Sequence, residues 1–487
     1  MLKDLELDKK ADVHLYLQLY RQLKEMVQQG NLKAHTKLPP IRKLAKQLEV
    51  NNSTIVKAYD LLAEEELVYK KVGSGTFVAA KIDFEQGGEF SLDNQTYIDE
   101  EAKFNREENI INFATAAPDP KLFPIKPFKR LLNKVLDRDK GYAFGYQKSQ
   151  GYLPLRRSIA DYNQQQGIKT AAENIQIVSG AQQGIDILAK ALLDYGATVF
   201  TESPSYPGAI SVFKSRKADI VEIPIKADGL DIEILKEELL KKQPEILYLM
   251  SSFQNPTGYS YSKEKKEEIL NLAEEYDFLI VEDDCLGDLN YEQEQKLSFK
   301  ALDDKQRVIY IKSFSKLLMP GLRLAFLVIP EPYLNKILLS KYISDIFTDG
   351  LIQRVLDLYF KEEIWQKQLK KLKDIYKSRY FKMLSSLEAY LPEEIDYIKA
   401  GGGFNFWLKL PAGLAEERIY DRALGAGIKL APGSYFYGNS NNKKNRLRLS
   451  IAAVNEAQIE TGVKKLASLI KELISEAKNN HSKQLLL

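Results

Sequence analysis

Alternating strands and helices after residue 110 constrain the fold of this 487-residue chain more than any other feature. Apolar runs of strand length recur there, and each is followed by a polar turn. These runs are Ile175–Val178, Val199–Phe200, Ile246–Met250, Phe278–Val281 and Val308–Ile311. Such alternation is typical of βαβ units and predicts a parallel sheet. Because ligands collect at the carboxyl edge of such a sheet, we expect the polar residues after the five strands to form one site.

The last of these strands leads to a lysine. Val308–Ile311 runs into a polar turn that carries Lys316, and Pro320-Gly321 breaks the chain before a second apolar strand, Leu324–Ile329. Most lysines are solvated surface charges. A partly buried lysine amine, however, is a nucleophile towards carbonyls. Lys316 alone leaves both interpretations open.

Composition excludes several classes of site. The only cysteine is Cys285, so there is no disulfide framework and no cysteine-based zinc site. The three histidines, His14, His35 and His481, lie near the two ends, which argues against a Ser-His-Asp triad or a histidine-rich metal centre between them. We therefore predict no metal site, and expect Lys, Asp, Tyr, Arg or a cofactor to perform any chemistry.

The first fourteen residues are charged throughout and lack the apolar core of a signal peptide. The longest apolar runs are of strand length, well short of the ~20 residues of a membrane span. We expect a cytoplasmic protein with no membrane partner.

Residues 1–79 have the pattern of a small DNA-binding domain. Three segments with helical apolar spacing, Leu15–Met26, Ile41–Leu48 and Ile55–Leu62, precede a hairpin over residues 67–78. This order predicts a winged helix-turn-helix, although a helical bundle without a ligand would have the same periodicity. Basic residues favour DNA, because they stand where phosphates can be reached. They are Arg42, Lys43, Lys46, Lys57, Lys70 and Lys71.

The segment LPPIRKLAKQLEVNNSTIVKAYDLLAEEELVYKKVGSGTFV resembles the GntR-type DNA-binding domain. The resemblance implies that Arg42 and Thr54 contact double-stranded DNA and that Gly75 shapes the wing. Asn51-Asn52 stand where many relatives have arginine, so fewer charge-assisted contacts with DNA are available. The sequence therefore does not predict which operator the domain binds.

The residues at the strand ends suit one cofactor. A reactive lysine, a carboxylate, an aromatic ring and a glycine turn at a helix start, with an arginine, are what pyridoxal 5'-phosphate (PLP) needs. The carboxylate keeps the pyridine nitrogen protonated, the aromatic ring stacks, and the helix N–H groups hold the phosphate.

Residues Ile110–Leu469 resemble fold-type-I aminotransferases, which are α/β PLP-dependent transferases with a large sheet domain and a small C-terminal α+β domain. The matching motifs, in chain order, are GYQKSQGYLPLR, SGAQQ, PSYPG, QNPTG, EDDC, SFSKLLMPGLR, GGGFNFWL, APGSYF and RLRLSIA. By this resemblance Lys316 forms the Schiff base with PLP, Asp283 binds the pyridine nitrogen, Asn255 the phenolic oxygen, and Tyr206 covers the ring.

The same resemblance assigns the remaining site residues. The phosphate ligands are Gly180, Ala181, Gln182, Ser313, Arg323 and Tyr146, the last often reaching across a dimer interface. Arg448 matches the arginine that binds a substrate α-carboxylate. Cys285 replaces the usual tyrosine beside the phenolic oxygen and is a poorer donor. Phe113–Pro118 lacks the glycines of relatives, so cofactor capture is expected and turnover is in doubt.

The domain order resembles the MocR family of transcriptional regulators. We expect a winged helix domain at 1–79, a linker at 80–109, an aminotransferase-like domain at 110–475 with its small part from about 350, and a frayed tail at 476–487. The basic run Gln366–Met383 is interpreted as a solvated helix rather than a DNA-supporting face.

The leading hypothesis is a homodimeric DNA-binding regulator that senses PLP or a small amino compound. An active aminotransferase acting on an amino acid or amine is the second, and a relic that binds no cofactor is the third. The sequence leaves open which effector is sensed, which gene is controlled and whether DNA binding represses or activates.

Overall fold

The computed structural model describes Leu7 and residues 14–28, 36–48, 50–64, 67–71, 75–78, 110–292, 296–439 and 445–484. The chain divides into two compact units, Met1–Ser91 and Leu92–Leu487. The predicted linker at 80–109 lies outside the described residues. None of the described helices is both long enough and apolar enough to cross a membrane.

The first unit is a winged helix-turn-helix, as predicted. Its elements are α1 (Leu15–Gln28), α2 (Ile41–Gln47), α3 (Asn52–Glu64) and an antiparallel hairpin of β1 (Val68–Lys71) and β2 (Gly75–Val78). Leu19, Leu44 and Ile55 bring the apolar stripes of the three helices into one core. The segment before α2 adds to the wing, since the Leu38 amide donates to the Thr76 carbonyl at 2.9 Å.

The second unit is built on an eight-stranded sheet. It opens with a short strand, β3 (Ile111–Asn112), that belongs to another sheet. The strands of the large sheet are β4 (Ile175–Val178), β5 (Thr198–Ser203), β6 (Asp219–Lys226), β7 (Gly229–Leu230), β8 (Ile246–Leu249), β9 (Leu279–Asp284), β10 (Val308–Ser313) and β11 (Ala325–Val328). Their order is β4-β11-β10-β9-β8-β5-β6-β7.

The sheet is mixed, whereas the alternation predicted a parallel one. Strand β11 runs antiparallel to both β10 and β4, and β7 runs antiparallel to β6. The chain reverses after β10 through a 3-10 turn at Pro320–Leu322 instead of crossing over through a helix. The amino end of β11 therefore lies at the edge where the parallel strands have their carboxyl ends.

Helices cover both faces of this sheet. They are α4 (Ile125–Asp139), α5 (Leu153–Gln165), α6 (Ala181–Leu192), α7 (Pro207–Ser215), α8 (Ile232–Leu239), α9 (Lys263–Glu275), α10 (Phe299–Leu302), α11 (Leu334–Asp345), α12 (Gly350–Lys361) and α13 (Ile364–Tyr390). Side chains alternate along a strand. In β10, Ile309 packs in a cluster with Leu188 of α6, while Val308 packs with Leu235 of α8.

A smaller antiparallel sheet follows, with the strand order β12-β13-β16-β15. The remaining elements are β12 (Asp396–Tyr397), β13 (Asn405–Lys409), α14 (Glu416–Gly425), β14 (Ile428–Lys429), β15 (Ala431–Pro432), β16 (Arg446–Ser450) and α15 (Glu456–Gln484). One face packs on α13, where the rings of Tyr380 and Phe406 lie 5.2 Å apart. Strand β14 pairs with β3.

Two predictions about the C-terminal helices have different outcomes. The basic run Gln366–Met383 lies in α13, whose lysines Lys367, Lys370 and Lys371 are exposed while Leu372 is buried, in keeping with a solvated helix. The end of the chain was predicted to fray from Glu476, but α15 continues to Gln484. The apolar spacing of Ile470 and Leu473, both buried, carries the helix into that stretch.

Candidate cofactor site

The ends of the parallel strands bring the predicted site residues to one edge of the large sheet. Gly180 follows β4, Tyr206 follows β5, Asn255 follows β8, Asp283 is the second-to-last residue of β9, and Lys316 follows β10. Parallel neighbours in register put these carboxyl ends side by side.

Asp283 is a buried carboxyl with an unfilled acceptor. Its Oδ2 accepts a hydrogen bond from Tyr248 Oη at 2.8 Å. Its Oδ1 is buried and has no hydrogen-bond partner in the part of the chain that the structure describes. Burial raises the pKa of Asp283 to about 6, while Tyr248 and the charges of Lys312 and Lys316 oppose this rise. Buried acceptors are nearly always paired, so we expect a bound group to donate a hydrogen bond to Oδ1. A protonated pyridine nitrogen is a donor of this kind.

Lys316 lies half-buried on the turn after β10. It is close enough to Asp283 for its charge to lower the pKa of that carboxyl. Burial, above all, raises the pKa of the neighbouring Cys285 thiol, so this group stays neutral at physiological pH. A neutral thiol is a weak hydrogen-bond donor, which disfavours turnover.

A cradle for a phosphate lies at the start of α6. Gly180 precedes the helix with φ +92, and a Cβ there would stand 2.4 Å from Arg323 Nη2. Arg323 lies at the amino end of β11, and its Nη2 donates to the Ser179 carbonyl at 3.2 Å. The amides of Ala181 and Gln182 belong to the first turn of the helix, whose N–H groups have no partner within the helix.

Two further residues border this cradle. Ser313 ends β10 and is buried, and its Oγ accepts from the Ser315 amide at 3.2 Å. Gln182 Nε2 donates to the Gly208 carbonyl at 2.9 Å, which ties the cradle to the loop that carries Tyr206. These residues together fit the phosphate and ring of PLP.

Arg448 reaches the site from the smaller sheet. Its side chain is 2% exposed, its Nη1 donates to Asn255 Oδ1 at 2.9 Å, and its Nη2 donates to the Ala114 carbonyl. The guanidinium also lies 5.0 Å from the centre of the Phe436 ring. A cation beside Asn255 is suited to bind a carboxylate of a small molecule next to the cofactor.

Tyr146, also predicted to bind the phosphate, is an exposed residue. Its side chain is 89% exposed, and the centre of its ring lies 5.6 Å from the centre of the Phe347 ring, in an edge-to-face arrangement. Tyr142 and Phe144 are exposed beside it in sequence. Within one chain, therefore, most of its side chain is open to solvent.

The predicted DNA-binding residues lie in the first unit. Arg42 and Lys43 are exposed on α2, and Lys57 is exposed on α3, where its ammonium lies 5.4 Å from the Tyr16 ring centre. Thr54 is half-buried in the first turn of α3, and Gly75 begins β2.

Sequence reasoning missed a buried ionic cluster behind Asp283. Lys312 Nζ lies 3.0 Å from Asp284 and 2.7 Å from Asp288. Tyr310 Oη donates to Asp284 and Tyr162 Oη donates to Asp288, at 2.6 and 2.7 Å. The lysine that directly follows the apolar run Val308–Ile311 was the available signal. The cluster ties β9 to β10, so it holds Asp283 and the turn with Lys316 in register.

Substitution of Lys312 by methionine should destabilise the second unit. The change leaves two buried carboxylates without their cation, and we expect a loss of about 3–5 kcal/mol in the free energy of unfolding. Urea unfolding followed by circular dichroism measures it. Lys341→Met is the matched control, because Lys341 is equally buried but pairs with the partly exposed Asp345. Equal losses in both variants would contradict the role given to the cluster.

Comparisons with known proteins agree with both units. Residues 108–466 match the family of aminotransferase class I and II, and residues 15–78 match the bacterial regulatory proteins of the gntR family. The HTH-type transcriptional regulator YdfD of Bacillus subtilis is 31% identical, over 94% of this chain and 97% of its own. The probable rhizopine catabolism regulatory protein MocR of Rhizobium meliloti is 28% identical, over 97% of both chains.

A solved structure supports the fold of the second unit. The multiple substrate aminotransferase from Thermococcus profundus is 32% identical with a TM-score of 0.74, over 78% of this chain and 95% of its own. The cofactor of this family is PLP, which the donors at the sheet edge fit. This chain therefore belongs to the aminotransferase class I and II family and, with its GntR-type winged helix domain, to the MocR-type transcriptional regulators.

Proposed function

We propose that this protein is a transcriptional regulator that binds double-stranded DNA through its winged helix and senses PLP or an amino compound through Lys316. One observation carries the proposal. The same chain has an exposed basic α2 and a buried acceptor, Asp283 Oδ1, beside a lysine and a phosphate cradle. An enzyme does not need an exposed basic helix, and a simple DNA-binding protein does not need a buried acceptor beside a lysine and a phosphate cradle.

The effector is proposed to bind next to the cofactor. An amino compound with a carboxylate would place its amine towards Lys316 and its carboxylate towards Arg448. Arg448 is already paired with Asn255, so an effector carboxylate would compete for this cation. Effector binding can change DNA affinity only by favouring one conformation of the protein over another.

We further propose that the regulator acts as a homodimer. Tyr142, Phe144 and Tyr146 expose their rings, and the apolar side chains of Tyr342 and Ile343 on α11 are exposed as well. Exposed apolar groups of this size are typical of protein interfaces. Tyr146 would then complete the phosphate site of the other subunit.

DNA binding by the full-length protein tests the central proposal. Fluorescence anisotropy would compare the DNA upstream of its own gene with a random duplex, at several salt concentrations and with PLP bound. We expect a salt-dependent preference for the upstream DNA that changes when an amine such as 4-aminobutanoate is added. Equal affinity for both duplexes at all salt concentrations would end this proposal.

Arg42→Ala should weaken DNA binding at every sequence. Loss of one phosphate contact should lower the affinity about tenfold and reduce the slope of log K against log salt by about 1. The same anisotropy titrations give both quantities. Lys190→Ala, in the second unit, is the control and should change neither. An unchanged slope in Arg42→Ala would remove Arg42 from the DNA interface.

An active aminotransferase is the second candidate function. The cofactor donors gathered at the sheet edge favour it, and the neutral Cys285 thiol disfavours it. Steady-state conversion of an amino donor and a keto acceptor would support the enzyme. A single half-reaction without turnover would support the sensor.

A further inference from the structure

The two faces of the smaller sheet differ in character. Opposed residues of antiparallel strands, and residues two apart on one strand, lie on the same face. The face towards α13 is apolar, and its members in β13 and β16 are Phe406, Leu408, Leu447 and Leu449. The other face carries Asn405 of β13, which stands opposite Ser450 of β16, two residues from Arg448. Because Arg448 reaches Asn255 after β8, this second face is turned towards the cofactor site.

Asn405 brings a buried amide to that second face. Its side chain is 2% exposed, and neither Nδ2 nor Oδ1 has a hydrogen-bond partner among the residues that the structure describes. Buried polar groups are nearly always paired, because an unpaired one loses its bonds to water without replacement. We therefore expect the Asn405 amide to pair with a bound molecule.

Beyond Asn405, the same face of the sheet becomes apolar. Trp407, two residues along β13, packs edge to face against Phe436 with the ring centres 5.8 Å apart. Ala114 and Ala431 belong to the same apolar cluster. An apolar side chain at position 405 would extend this cluster and would leave no polar atom unpaired. The asparagine therefore indicates recognition of a ligand rather than packing.

Asn405 also lies against the turn that carries Asn255. A Cβ on Gly258, three residues after Asn255, would stand 2.7 Å from the Asn405 carbonyl oxygen. Arg448 reaches the same turn, where its Nη1 donates to Asn255 Oδ1 at 2.9 Å. Asn405 and Arg448 are diagonal neighbours on paired strands, and the Cα atoms of such neighbours lie about 7–8 Å apart. One small molecule beside Asn255 is therefore within reach of both side chains.

We propose that Asn405 is a specificity-determining residue of the effector site, whose Nδ2 donates a hydrogen bond to the carboxylate that Arg448 binds. The site then prefers amino acids to simple amines. A carboxylate has two oxygens that accept hydrogen bonds, so it can take one donor from each of the two side chains. Asn405 Oδ1 is an acceptor for any N–H or O–H group that the same molecule carries. The inference rests on the sensor function proposed above and adds the class of effector to it.

The test uses PLP-loaded full-length protein and pairs of probes that differ by one carboxylate. The pairs are L-alanine or D-alanine with ethylamine, and 4-aminobutanoate with propylamine. The change in the visible absorbance of bound PLP gives the affinity for each probe. The wild type should bind at least one carboxylate probe about tenfold or more tightly than its matched amine.

Two substitutions of Asn405 remove the proposed donor in different ways. Asn405→Leu removes both polar atoms at nearly constant size, and Asn405→Asp puts a carboxylate there that competes for Arg448. Each should lower the affinity for the preferred carboxylate probe about 10- to 100-fold, and that for its matched amine by less than about twofold. Each should also bind PLP as the wild type does.

Asn163→Leu is the matched control. Asn163 is a fully buried asparagine of α5, and neither atom of its amide has a hydrogen-bond partner in the described chain. Helix α5 carries none of the predicted site residues. This variant should therefore keep the wild-type preference for the carboxylate probe.

An unchanged preference in both Asn405 variants would overturn the proposal, as would a wild type that binds every amine as tightly as its amino acid. Loss of the preference in Asn163→Leu as well would also overturn it, since any buried amide would then have the same effect. If Asn405→Leu does not fold, Asn405→Asp decides. A protein that fails the DNA assay still gives these absorbance readouts. A wild type that binds no PLP would refute the proposed function and this inference with it.

Discussion

Lys316→Ala is expected to abolish the visible absorbance of PLP-loaded protein and to remove the response of DNA binding to amines. Lys316 is the half-buried lysine whose charge acts on Asp283, and we propose that its amine bonds covalently to the aldehyde of PLP. Loss of this bond should weaken PLP binding by about 100-fold, or about 3 kcal/mol. Absorbance and equilibrium dialysis with PLP measure the two effects.

Lys316→Arg separates covalent attachment from charge. The guanidinium keeps a positive charge near Asp283 but cannot bond to the aldehyde. We expect it to lose the absorbance as fully as the alanine variant does, while Lys190→Ala on the surface of α6 keeps it. A visible band that survives in Lys316→Ala would mean that another lysine holds the cofactor.

Asp283→Asn should reduce PLP affinity by about 100-fold, because it removes one partner of a buried charge pair at a cost of about 3 kcal/mol. Asparagine can keep the bond to Tyr248 but cannot hold the pyridine nitrogen protonated. Fluorescence titration with PLP gives the affinity. Asp186→Asn, on the exposed side of α6, should bind PLP as the wild type does.

The stability of the protein without PLP should change in the opposite direction. Burial raises the pKa of Asp283 to about 6, above the value of about 4 for an unfolded chain, so the ionised carboxylate costs folding free energy above pH 6. Asp283→Asn should therefore be at least as stable as the wild type at pH 7. The difference should shrink between pH 6 and pH 4, as the wild-type carboxyl takes up a proton. Weaker PLP binding together with lower stability would indicate damage to the fold rather than loss of the charge.

The sequence alone predicts the winged helix and the position of the site. Apolar spacing gives the three helices, since a helix buries residues three and four apart. Five apolar strands, each with a polar residue behind it, predict convergence because parallel strands end at one edge. The structure places Gly180, Tyr206, Asn255, Asp283 and Lys316 at that edge.

Local patterns did not give the direction of β11. In the sequence, a crossover helix and a 3-10 turn would both appear as a segment between two apolar strands. Only the pairing of β11 with β4 and β10 shows that β11 runs antiparallel to them. That direction brings Arg323 to the cradle. Likewise, the charge at Lys312 was visible in sequence, but its partner Asp288 was not.

What the sequence determined by itself is the kind of each element and the chemical groups that each strand delivers, because these depend on neighbours a few residues apart. The tertiary structure alone decided which distant groups meet. Arg448 and Asn255 share a hydrogen bond across 193 residues, and Glu202 reaches the Asn255 turn through Gln254 across 52. Such contacts depend on how two sheets and their loops pack, which no short stretch of the chain encodes.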